Sequence, residues 1–281
     1  MKIDAHQHIW NLNKVDYPWL VPEYGPIYRT FEAQELEPQL QRAGINKTVL
    51  VQAMDSYEDT DYMLETASSY DWIGGVVGWV PLNRPIEAAR MLDNYAANPF
   101  FKGVRHLIHE EWDPNWIIRP TVIEGLRILA SFGFTFDVAA AFPNHLGHIP
   151  YLATEVPNLR MVIDHLAKPP TKPELWSKWA EQMAGAAAYP NVYAKISGLN
   201  TALSNLWPNQ GAERYVDFVI EQFGAERLMY GGDWPVALLN GDYDSVWSGT
   251  LSLLEKYAEE TKAAILGRTA DKFYRISGGA S

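Results

Sequence analysis

The sequence predicts a single (β/α)8 barrel, of the TIM-barrel class, and three observations carry the prediction. Eight short apolar, β-branched runs recur along the 281 residues, with helix-like stretches between them. Several are continuously apolar, as in Thr-Val-Leu-Val (48–51), the pattern of parallel strands covered on both faces by helices. No low-complexity tract, Ser/Gly linker or block of charge divides the chain, so residues 1–281 read as one domain, close to the roughly 250 residues such a barrel uses.

In chain order the strands fall at residues 3–9, 48–53, 73–80, 101–108, 135–140, 160–167, 192–198 and 227–232. Amphipathic segments at 31–43, 86–96, 121–131, 173–188, 213–223 and 243–258 are each long enough for a crossover helix. A doubly wound open sheet is the competing architecture. The two differ in where a site lies: a barrel gathers all its C-terminal strand ends around one mouth, and an open sheet offers only the crevice where strand order reverses.

Composition removes several functions. Lys+Arg 23 against Asp+Glu 34 gives a net charge of −11, the opposite of what a nucleic-acid binder needs to displace counterions. At 47% hydrophobic and 20% charged, the chain is too apolar for disorder. Cysteine is absent, so there is no disulfide, thiolate ligand or cysteine nucleophile, and any metal must rest on His, Asp or Glu. Residues 1–10 lack the apolar core of a signal peptide and no run of about 18 apolar residues occurs, so no membrane partner and a cytoplasmic location are expected. On that reading the glycosylation triplet Asn46-Lys47-Thr48 is a chance match. There is no Gly-x-Gly-x-x-Gly, P-loop, Gly-x-Ser-x-Gly or His-Glu-x-x-His, which argues against dinucleotide, nucleoside-triphosphate and serine-hydrolase chemistry.

Polar residues at C-terminal strand ends are the candidate site. They are His6 and His8, Gln52, Arg105 and His106, Asp137, Asp164 and His165, Lys195 and Ser197, and Asp233. His6 and His8, two apart on a strand, leave the same face, and neutral imidazoles so placed make two arms of a metal site; alternatively they are surface or satisfied core histidines. His165 either closes that site or bonds a carbonyl. Asp164 alternates with it and is expected to face the helix layer. Asp233, in Gly-Gly-Asp-Trp-Pro (231–235), is either a general base held at the rim or a turn aspartate capping the next helix. Arg105 either polarises a carbonyl or holds a carboxylate through its fork of donors, or it forms a salt bridge to Glu110 or Asp137. Lys195 and Ser197 share a face; Lys195 reaches the mouth or pairs with Asp233 or Asp164. Of the eleven tryptophans, Trp10, Trp19, Trp79, Trp112, Trp116 and Trp234 fall at strand ends or in the following loops, where a ring can stack on a sugar-like ligand or serve packing. Trp10, Gln52, Trp79, His106 and Trp234 are taken as the substrate-binding set. His109, His145 and His148 read as surface residues, His109 being the nearest to an exception. Residues 112–119 and 204–211 are the loops expected to set substrate choice.

Ile-Asp-Ala-His-Gln-His-Ile-Trp (3–10), Asp-Tyr-Pro-Trp-Leu (16–20), Lys-Gly-Val-Arg-His (102–106), Ile-Asp-His-Leu-Ala-Lys-Pro (163–169), Ala-Lys-Ile-Ser-Gly-Leu (194–199) and Tyr-Gly-Gly-Asp-Trp-Pro (230–235) appear in that order along nearly the whole chain. Together they resemble the lactonase branch of the amidohydrolase superfamily, which includes L-fuconolactonases, L-rhamnonolactonases and relatives acting on lactones of aromatic degradation. The resemblance implies a distorted barrel and hydrolysis of a lactone by water at its mouth. It implies His6, His8, His165 and Asp233 as the core constellation, Asp233 as base, and Arg105 with a histidine or metal stabilising the oxyanion. The fifth strand, Phe-Thr-Phe-Asp-Val (134–138), lacks the histidine of metal-dependent members, and the fourth lacks their carbamylated lysine. A binuclear site is therefore not expected. One weakly held, zinc-like divalent ion is the reading adopted, with metal-independent catalysis left open. The expected partner is a small, neutral lactone, and the oligomeric state is left open. The competing functions are hydrolysis of a carboxylated aromatic-degradation lactone, a metal-dependent decarboxylase, and a catalytically silent ligand-binding barrel.

Overall fold

A computed structural model describes residues 1–208 and 211–278. Eight parallel strands form one sheet in sequence order: β1 (Ile3–Gln7), β2 (Lys47–Val51), β3 (Ile73–Gly78), β4 (Phe101–His106), β5 (Thr135–Val138), β6 (Arg160–Ile163), β7 (Val192–Ile196) and β8 (Leu228–Tyr230). The open-sheet alternative falls, because strand order never reverses and Gln7 bridges Trp234 to bring the first and last strands together. All eight predicted strands are present, each ending two to four residues short of its apolar run where the chain turns into the mouth.

The helices around the barrel begin with α1 (Ala33–Ala43), α2 (Tyr57–Ala67), α3 (Pro85–Ala96) and α4 (Pro120–Ser131). They continue with α5 (Ile149–Glu155), α6 (Trp176–Ala187), α7 (Leu199–Ala202) and α8 (Glu213–Phe223), and end with α9 (Tyr243–Leu254), α10 (Glu259–Ala263) and α11 (Thr269–Tyr274). Sequence periodicity missed α2 and α5, together with the short α7, α10 and α11. The acidic run of α2 blurs its apolar stripe, although Ser56 caps it by accepting from the Asp59 N–H. At seven residues, α5 is too short to establish a period.

Strand alternation divides the core in two. Leu50, Val76, Val104, Phe136, Met161, Ile163 and Leu228 face the helix layer. Ile3, Ala5, Val49, Val51, Val77, Val162 and Met229 fill the barrel interior, sealed at one end by Ala270, Phe273 and Tyr274 of α11. The β1–β2 register shifts between Asp4 and Gln7. A strand that points Ile3 and Ala5 inward thereby also turns His6 and His8 inward, because a slip of one residue exchanges the faces.

Asp4, fully buried, staples the barrel shut. Its carboxylate accepts from the N–H groups of His6 (3.1 Å) and Gly232 (2.8 Å), from the Tyr243 hydroxyl (2.8 Å) and from the Gln7 amide. The Gln7 carbonyl in turn accepts from the Trp234 N–H at 3.0 Å. Among the described residues no helix is long and apolar enough to cross a membrane.

Candidate active site

Four predicted residues meet at the C-terminal mouth. His6 Nε2 lies 3.2 Å from His8 Nε2 and 3.8 Å from Asp233 Oδ1, while His8 Nε2 is 3.4 Å from the same oxygen. His165 Nδ1 is 4.0 Å from Asp233 Oδ2 and 2.9 Å from the Ser197 hydroxyl. They arrive by different local devices. His6 and His8 come from the slipped end of β1. Asp233 follows β8 in a left-handed conformation (φ 54°), with its N–H bonded to the His6 carbonyl at 2.8 Å. His165 opens a turn of four consecutive left-handed residues, 165–168. Such a turn costs about 1–2 kcal/mol per non-glycine residue and persists only where its surroundings enforce it. Here the Trp179 indole N–H bonds the Leu166 carbonyl (3.0 Å) and the Phe142 N–H bonds the Ala167 carbonyl (2.8 Å).

Asp164 corrects the prediction. It faces the barrel interior, not the helix layer, because β6 ends at Ile163 and Asp164 keeps the inward face of Val162, two residues before it. The left-handed turn then swings His165 inward as well. Asp164 Oδ2 is 3.2 Å from Arg105 Nη1, and Oδ1 is 3.1 Å from Lys195 Nζ and 3.3 Å from His6 Nδ1. Arg105 thus pairs with Asp164 rather than with Glu110 or Asp137, and its other arm donates to the Gln52 carbonyl. Lys195 is fully buried below the mouth. It pairs with Asp164, one of the two partners foreseen, and with Asp137, which also accepts from the Tyr274 hydroxyl at 2.7 Å.

Burial holds the pKa of His6, His8 and His165 below the ordinary histidine value. Burial pushes Asp233 upward, but the histidine rings around it outweigh that and hold its carboxyl below the usual carboxylate range. The site therefore presents one carboxylate among neutral imidazoles.

With His6 buried beneath them, His8, His165 and Asp233 form the floor of a cavity of about 400 Å³, a size suited to a small organic ligand. Trp10, Trp19, Tyr24, Ile27, Val236 and Leu239 give it an apolar wall, and Arg105, His109, Glu110 and Lys168 a polar one. Of the predicted substrate-binding set only Trp10 lines it; the others stand behind the wall, for reasons visible in their partners. Gln52 donates to Asp55 at 2.8 Å. Trp79 donates to His106 Nδ1 at 3.0 Å, and His106 stacks on Trp116 at 3.8 Å with Nε2 2.8 Å from Glu111. Trp234 is buried edge-on against Phe31. Trp112 is 87% exposed. His145 is buried, not on the surface, and accepts from the Ala141 N–H at 3.2 Å. His148 is half-buried, while His109 lines the cavity.

Neither loop expected to set specificity contributes a lining residue among those described; residues 209 and 210 of the second lie outside the described residues. Sequence reasoning missed Tyr24 and Ile27, on a short 3-10 segment (Pro22–Ile27) that reads as a Pro/Gly loop, and Lys168, delivered by a left-handed turn without glycine.

The donor set fits a single divalent ion. The carbonyl of Val51, 2.7 Å from His8 Nδ1, can only accept, so the proton sits on Nδ1 and the Nε2 lone pair faces Asp233. His6 is held at both ring nitrogens, Nε2 3.4 Å from Arg105 Nη1 and Nδ1 3.0 Å from Lys195 Nζ and 3.3 Å from Asp164 Oδ1, so its place beside His8 and Asp233 is fixed by the buried ion network. Ligands of one tetrahedral zinc ion, bound at about 2.0–2.1 Å, stand roughly 3.3–3.4 Å apart, comparable to the His6, His8 and Asp233 spacings. His6, His165 and Asp233 each offer a ligand atom within 4.8 Å of the others.

A parallel eight-stranded barrel with a carboxylate and three imidazoles gathered at its mouth is the architecture of the amidohydrolase class. Comparison with known proteins gives the particular family. The chain belongs to the amidohydrolase family, whose model matches residues 3–276, and to its lactonase branch, a class of carboxylic ester hydrolases. It is 36% identical to the L-fucono-1,5-lactonase of Burkholderia ambifaria over 98% of this chain and 96% of that one. It is 29% identical to the L-fucono-1,5-lactonase of Burkholderia multivorans, over the same shares. Among solved structures, an amidohydrolase from Burkholderia multivorans superposes with a TM-score of 0.91 at 28% identity, covering 98% of this chain and 99% of that one, and a second crystal form of such a protein holds zinc (TM-score 0.90).

Proposed function

We propose that the protein opens the ring of a sugar lactone, an L-fucono- or L-rhamnonolactone-like aldonolactone, giving the aldonic acid. The observation that carries this reading is Asp233: an ionised carboxylate, fixed by a left-handed backbone among neutral imidazoles, on the floor of a cavity of about 400 Å³. The two full-length lactonase relatives support the substrate class.

Asp233 takes a proton from water, and the hydroxide so formed attacks the lactone carbonyl. Its C–O bond forms as the carbonyl pair moves onto oxygen. Collapse of the tetrahedral adduct breaks the ring C–O bond, and the departing alkoxide recovers the proton held by Asp233. His165, fixed by Ser197, orients the water beside Asp233, while Arg105 supplies positive potential to the oxyanion. His6, His8, His165 and Asp233 would hold one zinc-like ion, which when bound contributes Lewis acidity. The half-buried indole of Trp19, backed edge-on by Trp10, offers an apolar surface for one face of the sugar ring. A lactone is neutral, so the protein's net charge of −11 does not repel it.

A pH-indicator screen of sugar lactones, run with and without a chelator, tests the reading. Acid release from an aldonolactone is expected, and its sensitivity to the chelator decides whether an ion is required. Acid from a carboxylated aromatic-degradation lactone and from no sugar lactone would displace the assignment.

A further inference from the structure

Among the described residues the cavity is lined by one arginine and one lysine, and they are differently engaged. Arg105 is spoken for within the protein: one arm pairs with Asp164, the other donates to the Gln52 carbonyl, and its charge balances a buried carboxylate. The Lys168 ammonium also lines the cavity, yet among the described residues it has no carboxylate within 4.0 Å and no hydrogen-bond acceptor. Its backbone is as constrained as that of His165. Lys168 is the last left-handed residue of the 165–168 turn (φ 53°), its N–H bonds the His165 carbonyl at 2.9 Å, and Pro169 follows. One rigid turn, anchored by the Trp179 and Phe142 N–H groups, therefore delivers both an imidazole beside Asp233 and a lysine into the same cavity. Lys168 is exposed at the mouth, so water can meet its charge, and a turn held rigid by its surroundings leaves that ammonium free to meet a ligand anion there.

The geometry points to Lys168 as a catalytic residue that binds the lactone carbonyl oxygen. This rests on the hydrolytic reading above. As water adds, that oxygen becomes the oxyanion of the tetrahedral adduct, and after ring opening it is one carboxylate oxygen of the product. An ammonium placed there stabilises negative charge that the ground-state lactone lacks, so its contribution falls on turnover more than on substrate binding. The same contact makes the enzyme bind its own aldonate product.

The test uses Lys168→Met and Lys168→Arg in the full-length protein, with kcat and KM on the lactone turned over by the parent and product affinity measured calorimetrically with the corresponding aldonate. Lys168→Met should lower kcat on the order of 10²-fold, with KM changed by less than about threefold, the loss typical of removing one oxyanion donor. Aldonate binding should weaken at least tenfold, and Lys168→Arg should recover part of both. A kcat within about threefold of the parent, or aldonate affinity unchanged in Lys168→Met, overturns the assignment. A parent that opens no lactone but binds an aldonate through Lys168 would fail the hydrolytic reading while leaving the anion contact intact; a parent that does neither overturns both.

Discussion

His8 Nδ1 sits 2.7 Å from the carbonyl oxygen of Val51, so the strand next to β1 fixes which nitrogen of His8 carries the proton. The Nε2 lone pair is left facing the Asp233 carboxylate at 3.4 Å. His6 Nε2 lies 3.2 Å from that nitrogen and 3.8 Å from the same carboxylate, so the three groups converge on a point that a shared proton, water or cation would satisfy.

That arrangement works only with neutral imidazoles, which predicts the acid limb of the pH profile. Burial holds His6, His8 and His165 below the ordinary value of 6.5, so kcat/KM should be flat above 6.5 and fall only on the acid side of it. Stability follows the same sign. These groups bind protons more weakly folded than unfolded, so their contribution is complete above 6.5 and is lost as pH falls through the lower folded values. Rate profiles and thermal melts across pH 4.5–8.5 check both halves; an acid midpoint above 6.5 would exclude the neutral-imidazole floor.

Asp233→Asn should abolish turnover with little change in fold. Asparagine tolerates the left-handed φ of 54° and preserves shape, yet cannot take a proton from water. Removing the general base is expected to reduce kcat by roughly 10²–10⁴-fold at an unchanged melting temperature. Turnover at the parent's rate in this variant would remove Asp233 from the role of general base.

Asp4→Ala should destabilise the whole barrel rather than the chemistry alone. The buried carboxylate accepts from two N–H groups, an amide and a hydroxyl across the β1–β8 seam. Its removal strands several buried donors, each worth about 1–3 kcal/mol, so a loss of at least about 3 kcal/mol is expected in denaturant unfolding. A loss under about 1 kcal/mol would show that the seam closes without it.

The barrel was legible because its signal is periodic and repeated eight times, and because Asp233 and the His-x-His pair stand at strand ends where polar residues are conspicuous. Asp164 was misread because strand alternation was carried from His165 backwards, whereas β6 stops at Ile163 and the left-handed turn resets the direction of everything after it. Lys168 was invisible for the same reason, since no glycine marks that turn. His106 and Trp79 were placed at the right strand ends but stand behind the cavity wall, bonded to each other. Local periodicity reports the face of an element. It does not report which side chain at a crowded mouth reaches the solvent.

Gly198 provides the sharpest test of how tightly the site is built. It follows β7 with φ 60°, and a Cβ there would lie 2.7 Å from His165 Nδ1 and 3.1 Å from Asp233 Oδ2. Gly198→Ala therefore imposes two costs. A left-handed alanine lowers stability by about 1 kcal/mol. The new methyl also pushes the imidazole that orients water and crowds the carboxylate that deprotonates it. Displacements near 1 Å at reacting groups cost on the order of 10²-fold in rate, so kcat should fall at least tenfold while the melt shifts only modestly. Gly44→Ala is the control, because Gly44 is also left-handed (φ 67°, ψ 30°) but a Cβ there meets only the end of the Lys2 side chain, at 3.8 Å, where α1 ends away from the mouth. It should reproduce the loss of stability without the loss of rate. Equal rates in the two variants would mean that His165 and Asp233 do not need their observed positions.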